Sequence, residues 1–189
     1  MLPFFIYMMM TLEDLKNAIH DLSLTIKEED VKRHDSEWKS LNGFTDKSGY
    51  SSRENLDSEY VEEYLASMYP ELEKITRKPN KFFADISFGN YQIDFKEIAG
   101  EWFNTKHDFI RYFDAVDKGL LTHFLFYRTN RPRGDNNFPL VISPNTILKC
   151  EFLCVVTPHI LFSCRMDKYN RISVNDILKK AAQSKDCLV

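Results

Sequence analysis

Apolar positions along this chain change period several times, and each change marks an element. After Thr11, Leu12, Leu15, Ile19, Leu22 and Ile26 recur at helical spacing, which predicts a helix to about Lys27. Thr11 is its cap, with Asp14 at the third position as in a capping box. Residues 28–53 are polar and charged, include Gly43 and Gly49, and read as a long loop with a short helix around Trp38. Loops this long in a compact domain are often functional, and this one could clamp a substrate. Ser51 and Glu54 form a second capping box and open a helix over 52–69, with Leu56, Tyr60, Val61, Tyr64, Leu65 and Met68 as its buried stripe.

The period then falls to two. Phe83–Phe88 and Tyr91–Lys96 alternate, and Gly89-Asn90 between them is a two-residue hairpin turn. That turn sets Phe88 opposite Tyr91, and therefore Asp85 opposite Asp94. One face carries Ala84, Ile86, Phe88, Tyr91, Ile93 and Phe95; the other carries Asp85, Ser87, Gln92, Asp94 and Lys96. Like charges directly opposite each other destabilise a sheet. A divalent cation between the two carboxylates would remove the repulsion, because hard cations take carboxylate oxygens.

Beyond the hairpin, Thr105 is read as a helix cap with Asp108 at the third position, and Phe109, Tyr112, Phe113 and Val116 as the apolar face of that helix. Gly119 is its stop. Leu120–Tyr127 is a nearly continuous apolar run, as in a strand buried on both faces. Strand, helix, strand is a crossover, which makes this last strand parallel to the one bearing Asp94 and Lys96. The segment 127–139 that follows holds Arg128, Arg131, Arg133, Gly134, Asn136 and two prolines. It is a polar loop whose arginines and asparagines either reach phosphates and base edges or are simply solvated. Leu148–Val156 and Ile160–Met166 read as two further strands, Asp167–Asn170 as a turn, and Ser173 as the cap of a final helix.

Asp85, followed after an apolar strand by Asp94-Phe95-Lys96, resembles the PD-(D/E)xK nucleases, which include many type II restriction endonucleases, junction resolvases and repair nucleases. The match covers the hairpin and, more loosely, residues 52–128; Ala84 stands where the family usually has proline. The element order of helix, antiparallel pair, crossover helix and parallel strand is also that of the family core. The resemblance implies an α/β fold with a restriction-endonuclease-like core, a mixed central sheet of about five strands flanked by helices, in one domain over 1–189 with its catalytic core at 52–128. It implies that Asp85, Asp94 and the carbonyl of Phe95 hold Mg²⁺, for which Mn²⁺ substitutes, and that Lys96 stabilises charge on the phosphate or orients the attacking water. An acidic residue on the preceding helix often assists in such families; Glu63 is the first choice here and Glu54 the second, each weighed against a solvated helix glutamate. Arg128, Arg131, Arg133 and Asn136 are the candidate DNA contacts, and a homodimer is expected for a double-strand cut.

Charge sharpens this picture. The net charge is −3. Residues 1–75 sum to −8 and residues 76–189 to +5, so the basic surplus lies in the half with the candidate site, as a phosphate partner would favour. Cys150, Cys154, Cys164 and Cys187 form no CxxC pair, which argues against a structural zinc site; the first three sit among apolar residues as buried thiols. Reduced thiols suit the cytoplasm. His107 and His159 read as structural. The opening segment, residues 1–10, is apolar but too short to cross a membrane and makes a poor signal peptide, and any of Met8, Met9 and Met10 could be the start. The expected activity is Mg²⁺-dependent hydrolysis of DNA phosphodiester bonds, of the sequence-specific restriction type. The alternatives are a nuclease-like fold that binds nucleic acid or protein without cutting, and an ordinary α/β domain in which the hairpin charges are a solvated face.

Overall fold

A computed structural model describes residues 10–26, 29, 56–74, 84–98, 100–105, 109–130 and 146–189. Four strands form the body of a mixed sheet in the order β7-β6-β4-β3, and two short strands, β1 and β2, extend its edges. In chain order these are β1 (Ser23–Ile26), β2 (Glu73–Lys74), β3 (Ile86–Phe88), β4 (Tyr91–Glu97), β6 (His123–Thr129) and β7 (Thr146–Val156). A separate two-stranded ribbon pairs β5 (Trp102–Asn104) with β8 (Arg171–Ser173). The helices are α1 (Leu12–His20), α2 (Leu56–Met68), α3 (Phe109–Asp117), α4 (Pro158–Ser163) and α5 (Val174–Ala181).

The hairpin of β3 and β4 has the expected register, with Phe88 opposite Tyr91 and Ile86 opposite Ile93. Gly89 adopts φ +52, the positive value a two-residue hairpin turn needs at its first position. β4 and β6 are parallel, as the crossover requires, with Asp94 beside Phe124 and Lys96 beside Phe126. Thr122 starts this pair by clamping Gln92: its hydroxyl accepts from the Gln92 N–H at 2.8 Å, and its own N–H donates to the Gln92 carbonyl at 2.9 Å. Gly119, at φ +67, ends α3 as expected.

Both sheet faces are covered. One side buries Ile86, Ile93, Phe95, Leu125, Tyr127 and Val155 against α1 and α2. The other buries Phe124, Phe126, Cys154 and Val156 against Tyr112 and Ala115 of α3, Leu161 of α4 and Ile177 of α5. Each fully buried aliphatic side chain contributes about 1.5–3 kcal/mol, so two such layers supply the main stabilisation.

Several expectations are corrected. The first helix stops at His20, and Ser23–Ile26 is a strand on the edge of β7 rather than helix to Lys27. Its capping box is as predicted, with Thr11 and Asp14 bonding reciprocally at 2.8 and 3.1 Å. Met68 is exposed, outside the stripe of α2, while Val61 and Leu65 are buried. Ile160–Met166 adds no strand to the sheet, because Thr157-Pro158 starts a helix there. Proline at the first helical position loses no hydrogen bond, and its fixed φ suits that turn. Ile98–Asn104 contains β5, which pairs with a strand some 70 residues later. The Thr105 hydroxyl donates to the Asn170 carbonyl at 2.7 Å; Asp108, its expected capping partner, lies outside the described residues. Ser173 occupies the cap position of α5 without a side-chain capping bond. The segment 28–53 and the capping box expected at Ser51 and Glu54 lie outside the described residues, apart from the single residue Glu29. No helix among the described residues is long and apolar enough to cross a membrane.

Candidate functional site

β4 presents Ile93 and Phe95 to the apolar side of the sheet and Asp94 and Lys96 to the other. The second side is not solvated. Asp85 and Asp94 are only 2% and 3% exposed, enclosed at the seam between the hairpin and the aromatic layer. Asp85 enters β3 by donating its N–H to the Ile93 carbonyl at 2.8 Å, and its Oδ2 accepts the Phe95 N–H at 2.8 Å. A carboxylate oxygen thus takes the ladder position where β3 has ended. The N–H and C=O of one strand residue point to the same side. The Phe95 carbonyl therefore lies on this same edge of β4, toward Asp85.

Lys96 Nζ donates to Asp94 Oδ1 at 2.9 Å and lies 2.7 Å from Oδ2 as an ion pair. Its side chain keeps 27% of its surface exposed, and Nζ lies 5.9 Å from the centre of the Tyr112 ring of α3. Burial pushes the Asp94 carboxyl up to about 8 against the pull of Lys96, and the hydrogen-bonded Asp85 carboxyl pushes the same way. The Asp94 carboxyl is therefore harder to ionise than an ordinary aspartate's. Burial works against the Lys96 charge, but Asp94, Tyr112 and Asp85 outweigh it, so the ammonium is held above the ordinary lysine value. That excludes Lys96 as a neutral base at physiological pH and leaves it an electrostatic role.

Two carboxyls and a backbone carbonyl on one strand edge are an all-oxygen donor set, the kind that suits a hard divalent cation. Burial makes Asp94 costly to ionise, a cost that a cation beside the two carboxyls would lower. Among the described residues, no group of three His, Cys, Asp or Glu side chains gathers to hold a metal. The set therefore rests on the two carboxyls, Phe95 and whatever water or phosphate oxygens join them.

Of the helix acids, Glu63 is on the exposed side of α2 and is not gathered with Asp85 and Asp94, whereas its neighbour Glu62 is buried. Spacing gave no signal for Glu62, which at about 100° per residue falls farther outside the apolar stripe than Glu63 does. Glu54, Arg131, Arg133 and Asn136 lie outside the described residues. Arg128 sits near the carboxyl end of β6, half-buried, on the same side of the sheet as Phe126 and hence as Lys96. Its Nε is buried without a hydrogen-bond partner among the described residues. Ligands of open α/β sheets bind at the carboxyl ends of the parallel strands, which is where Lys96 and Arg128 stand. Tyr112 was missed as a site residue; its only sequence signal was membership of the apolar face of α3.

The thiols of Cys154 and Cys164 are raised by burial to about 12 and about 11, so neither is a nucleophile at neutral pH. His159 is exposed on α4 and touches none of these groups. Comparison of the chain with protein-family models, with curated proteins and with solved structures gives no match.

Proposed function

We propose that this chain is a Mg²⁺-dependent endodeoxyribonuclease with a restriction-endonuclease-like core, hydrolysing DNA phosphodiester bonds at specific sequences as a homodimer in the cytoplasm. The observation that carries the reading is the buried Asp85–Asp94 contact, with Lys96 hydrogen-bonded and ion-paired to Asp94. Burying two carboxyls together costs stability, and the cost is hard to account for without a cation. The order of hairpin, helix α3 and parallel strand β6 supports it further, as does the resemblance of Asp85 and Asp94-Phe95-Lys96 to the PD-(D/E)xK pattern.

Asp85, Asp94 and the Phe95 carbonyl would hold Mg²⁺, or Mn²⁺ in its place. When bound, the ion polarises the scissile phosphate and lowers the pKa of a coordinated water. Asp94 would need to be ionised to hold the ion. The Lys96 ammonium beside Asp94 would neutralise charge that develops on the phosphorane oxygens. The Phe95 N–H keeps Asp85 aimed at the site through its Oδ2. Arg128 contributes a fixed positive charge on the phosphate side, with Arg131, Arg133 and Asn136 as further DNA contacts.

The test is cleavage of mixed plasmid and phage DNA in Mg²⁺ or Mn²⁺ by the wild type and Lys96→Ala. Discrete fragments from the wild type alone support a sequence-specific nuclease. Random nicking lost in the variant keeps the chemistry and drops the specificity. No cleavage by a folded wild type sinks the reading. A second reading, a nuclease-like scaffold that binds without cutting, is favoured by the −8 charge of residues 1–75, which would repel a long duplex.

A further inference from the structure

The ribbon of β5 and β8 carries a feature that the carboxylate site does not use. The Arg171 guanidinium lies 4.8 Å from the centre of the Trp102 ring and 4.9 Å from that of Tyr169. It is locked there by Asp167, whose Oδ2 accepts from Nε at 3.0 Å and from Nη2 at 2.7 Å. The other oxygen of Asp167 accepts the backbone N–H of Tyr169 at 2.8 Å and of Arg171 at 3.0 Å, and Asn170 closes the turn at φ +57. Trp102 is fixed in the ladder opposite Ser173. Two large aromatic rings thus stand beside one fixed guanidinium, and they remain 44% and 58% exposed.

A stack that served only to hold the ribbon together would gain most by burying those rings. Leaving aromatic faces in water costs hydrophobic free energy and gains a surface for a flat partner. The charges around it are mainly basic. Asp167 is occupied by Arg171 and the turn amides, which leaves Arg165 and Lys168 as exposed charges of segment 165–171; Glu101, before Trp102, is the exposed acid nearby in sequence. Lys168 Nζ rests 4.9 Å over the Tyr169 ring, from which a flexible stem can swing to a phosphate. Aromatic faces beside mobile cations are the usual means of holding unpaired bases and their backbone. The ribbon is also close to the candidate site: Phe103, between Trp102 and Asn104, packs on Phe126, which is the β6 neighbour of Lys96.

We infer that Trp102 and Tyr169, clamped by Arg171, form a stacking platform for unpaired nucleobases, so that the chain engages a single-stranded segment of its nucleic acid. The inference rests on the nuclease reading for its substrate class and adds the strandedness of that substrate. Its test is binding of a labelled, unstructured oligodeoxynucleotide and of the matching duplex to the full chain in EDTA, where no cleavage can occur. Wild type is compared with Trp102→Ala, Tyr169→Ala and the conservative Trp102→Phe, each checked for an unchanged melting temperature. The expected result is measurable binding of the single strand, besides any binding of the duplex. Each alanine variant should weaken single-strand binding by roughly fivefold or more, and Trp102→Phe should keep most of it. Unchanged binding in both folded alanine variants, or no single-strand binding by the wild type, overturns the platform. If Mg²⁺-dependent cleavage persists while those variants bind normally, only the platform fails. If the variants lose single-strand binding but the wild type cleaves nothing, only the nuclease reading fails.

Discussion

The two faces of β4 are both buried, yet they are made of opposite chemistry. On one, Ile93 and Phe95 join Leu125, Tyr127 and Val155 in a layer that needs no partner but more hydrocarbon. On the other, Asp94 and Lys96 share their enclosure with Phe124 and Phe126, under the Tyr112 ring. The first face stabilises the fold. The second works against it, because burial strips water from Asp94 and Lys96, and their mutual contact must offset that loss. A protein selected for stability alone would fill that space with apolar side chains, so the polar side of β4 is where function is to be sought.

The contrast can be broken by mutation. Ile93→Ala, on the apolar face, should lose about 2–5 kcal/mol of stability, read from chemical denaturation, with no specific effect on metal response. Lys96→Ala should do the reverse. It should reduce cleavage by about 10²–10³-fold, or roughly 2.7–4 kcal/mol in the transition state, while the chain stays folded, since a protonated Asp94 can still bond to Asp85. If Lys96→Ala unfolds the chain as Ile93→Ala does, the division of labour between the faces is wrong.

Metal supplies a milder probe. Mn²⁺ at about 100 times its dissociation constant should stabilise the wild type by about 2.7 kcal/mol, seen as a higher melting temperature, and Asp94→Asn should abolish the rise. An equal rise in Asp94→Asn would place the ion elsewhere.

The remaining prediction concerns pH dependence, and its sign is definite. Asp94 has a folded pKa raised from 3.8 to about 8, so the folded state binds a proton that the unfolded state has released. Its contribution to stability is complete below about 3.8 and is lost as pH rises through about 8. Metal-free wild type should therefore lose melting temperature between pH 5 and 9 relative to Asp94→Asn, while the Mn²⁺-induced gain should grow over the same range, because the ion displaces that proton. Parallel pH profiles of the two proteins would show that Asp94 is ionised throughout.

Much of this site was legible in advance because it is local. A two-residue turn leaves one register, so the pairing of Phe88 with Tyr91, and the approach of Asp85 to Asp94, follow from ten residues. The parallel pairing of β4 and β6 follows from the length and apolar face of the helix between them. Where the reading failed, local pattern was ambiguous or distant partners decided. Ser23–Ile26 fits the tail of a helix or a β-branched strand, and the open edge of β7 selects the strand. Ile160–Met166 is apolar enough for either state, and Pro158 at the first helical position tips it to helix. Glu62 and Glu63 differ by one step on a helix, and only the packing of α2 separates a buried acid from an exposed one.

By itself, then, the sequence determined the hairpin, its register, the crossover and the side of β4 on which Asp94 and Lys96 stand, since period and turn length act over a few residues. Only the tertiary structure decided that this polar face is buried, that Lys96 pairs with Asp94, and that Trp102 meets Arg171 across some 70 residues of chain. Burial and desolvation belong to no residue alone. They arise when α3 and β6 pack against the hairpin, and it is this enclosure that sets Asp85 and Asp94 apart from ordinary surface carboxylates.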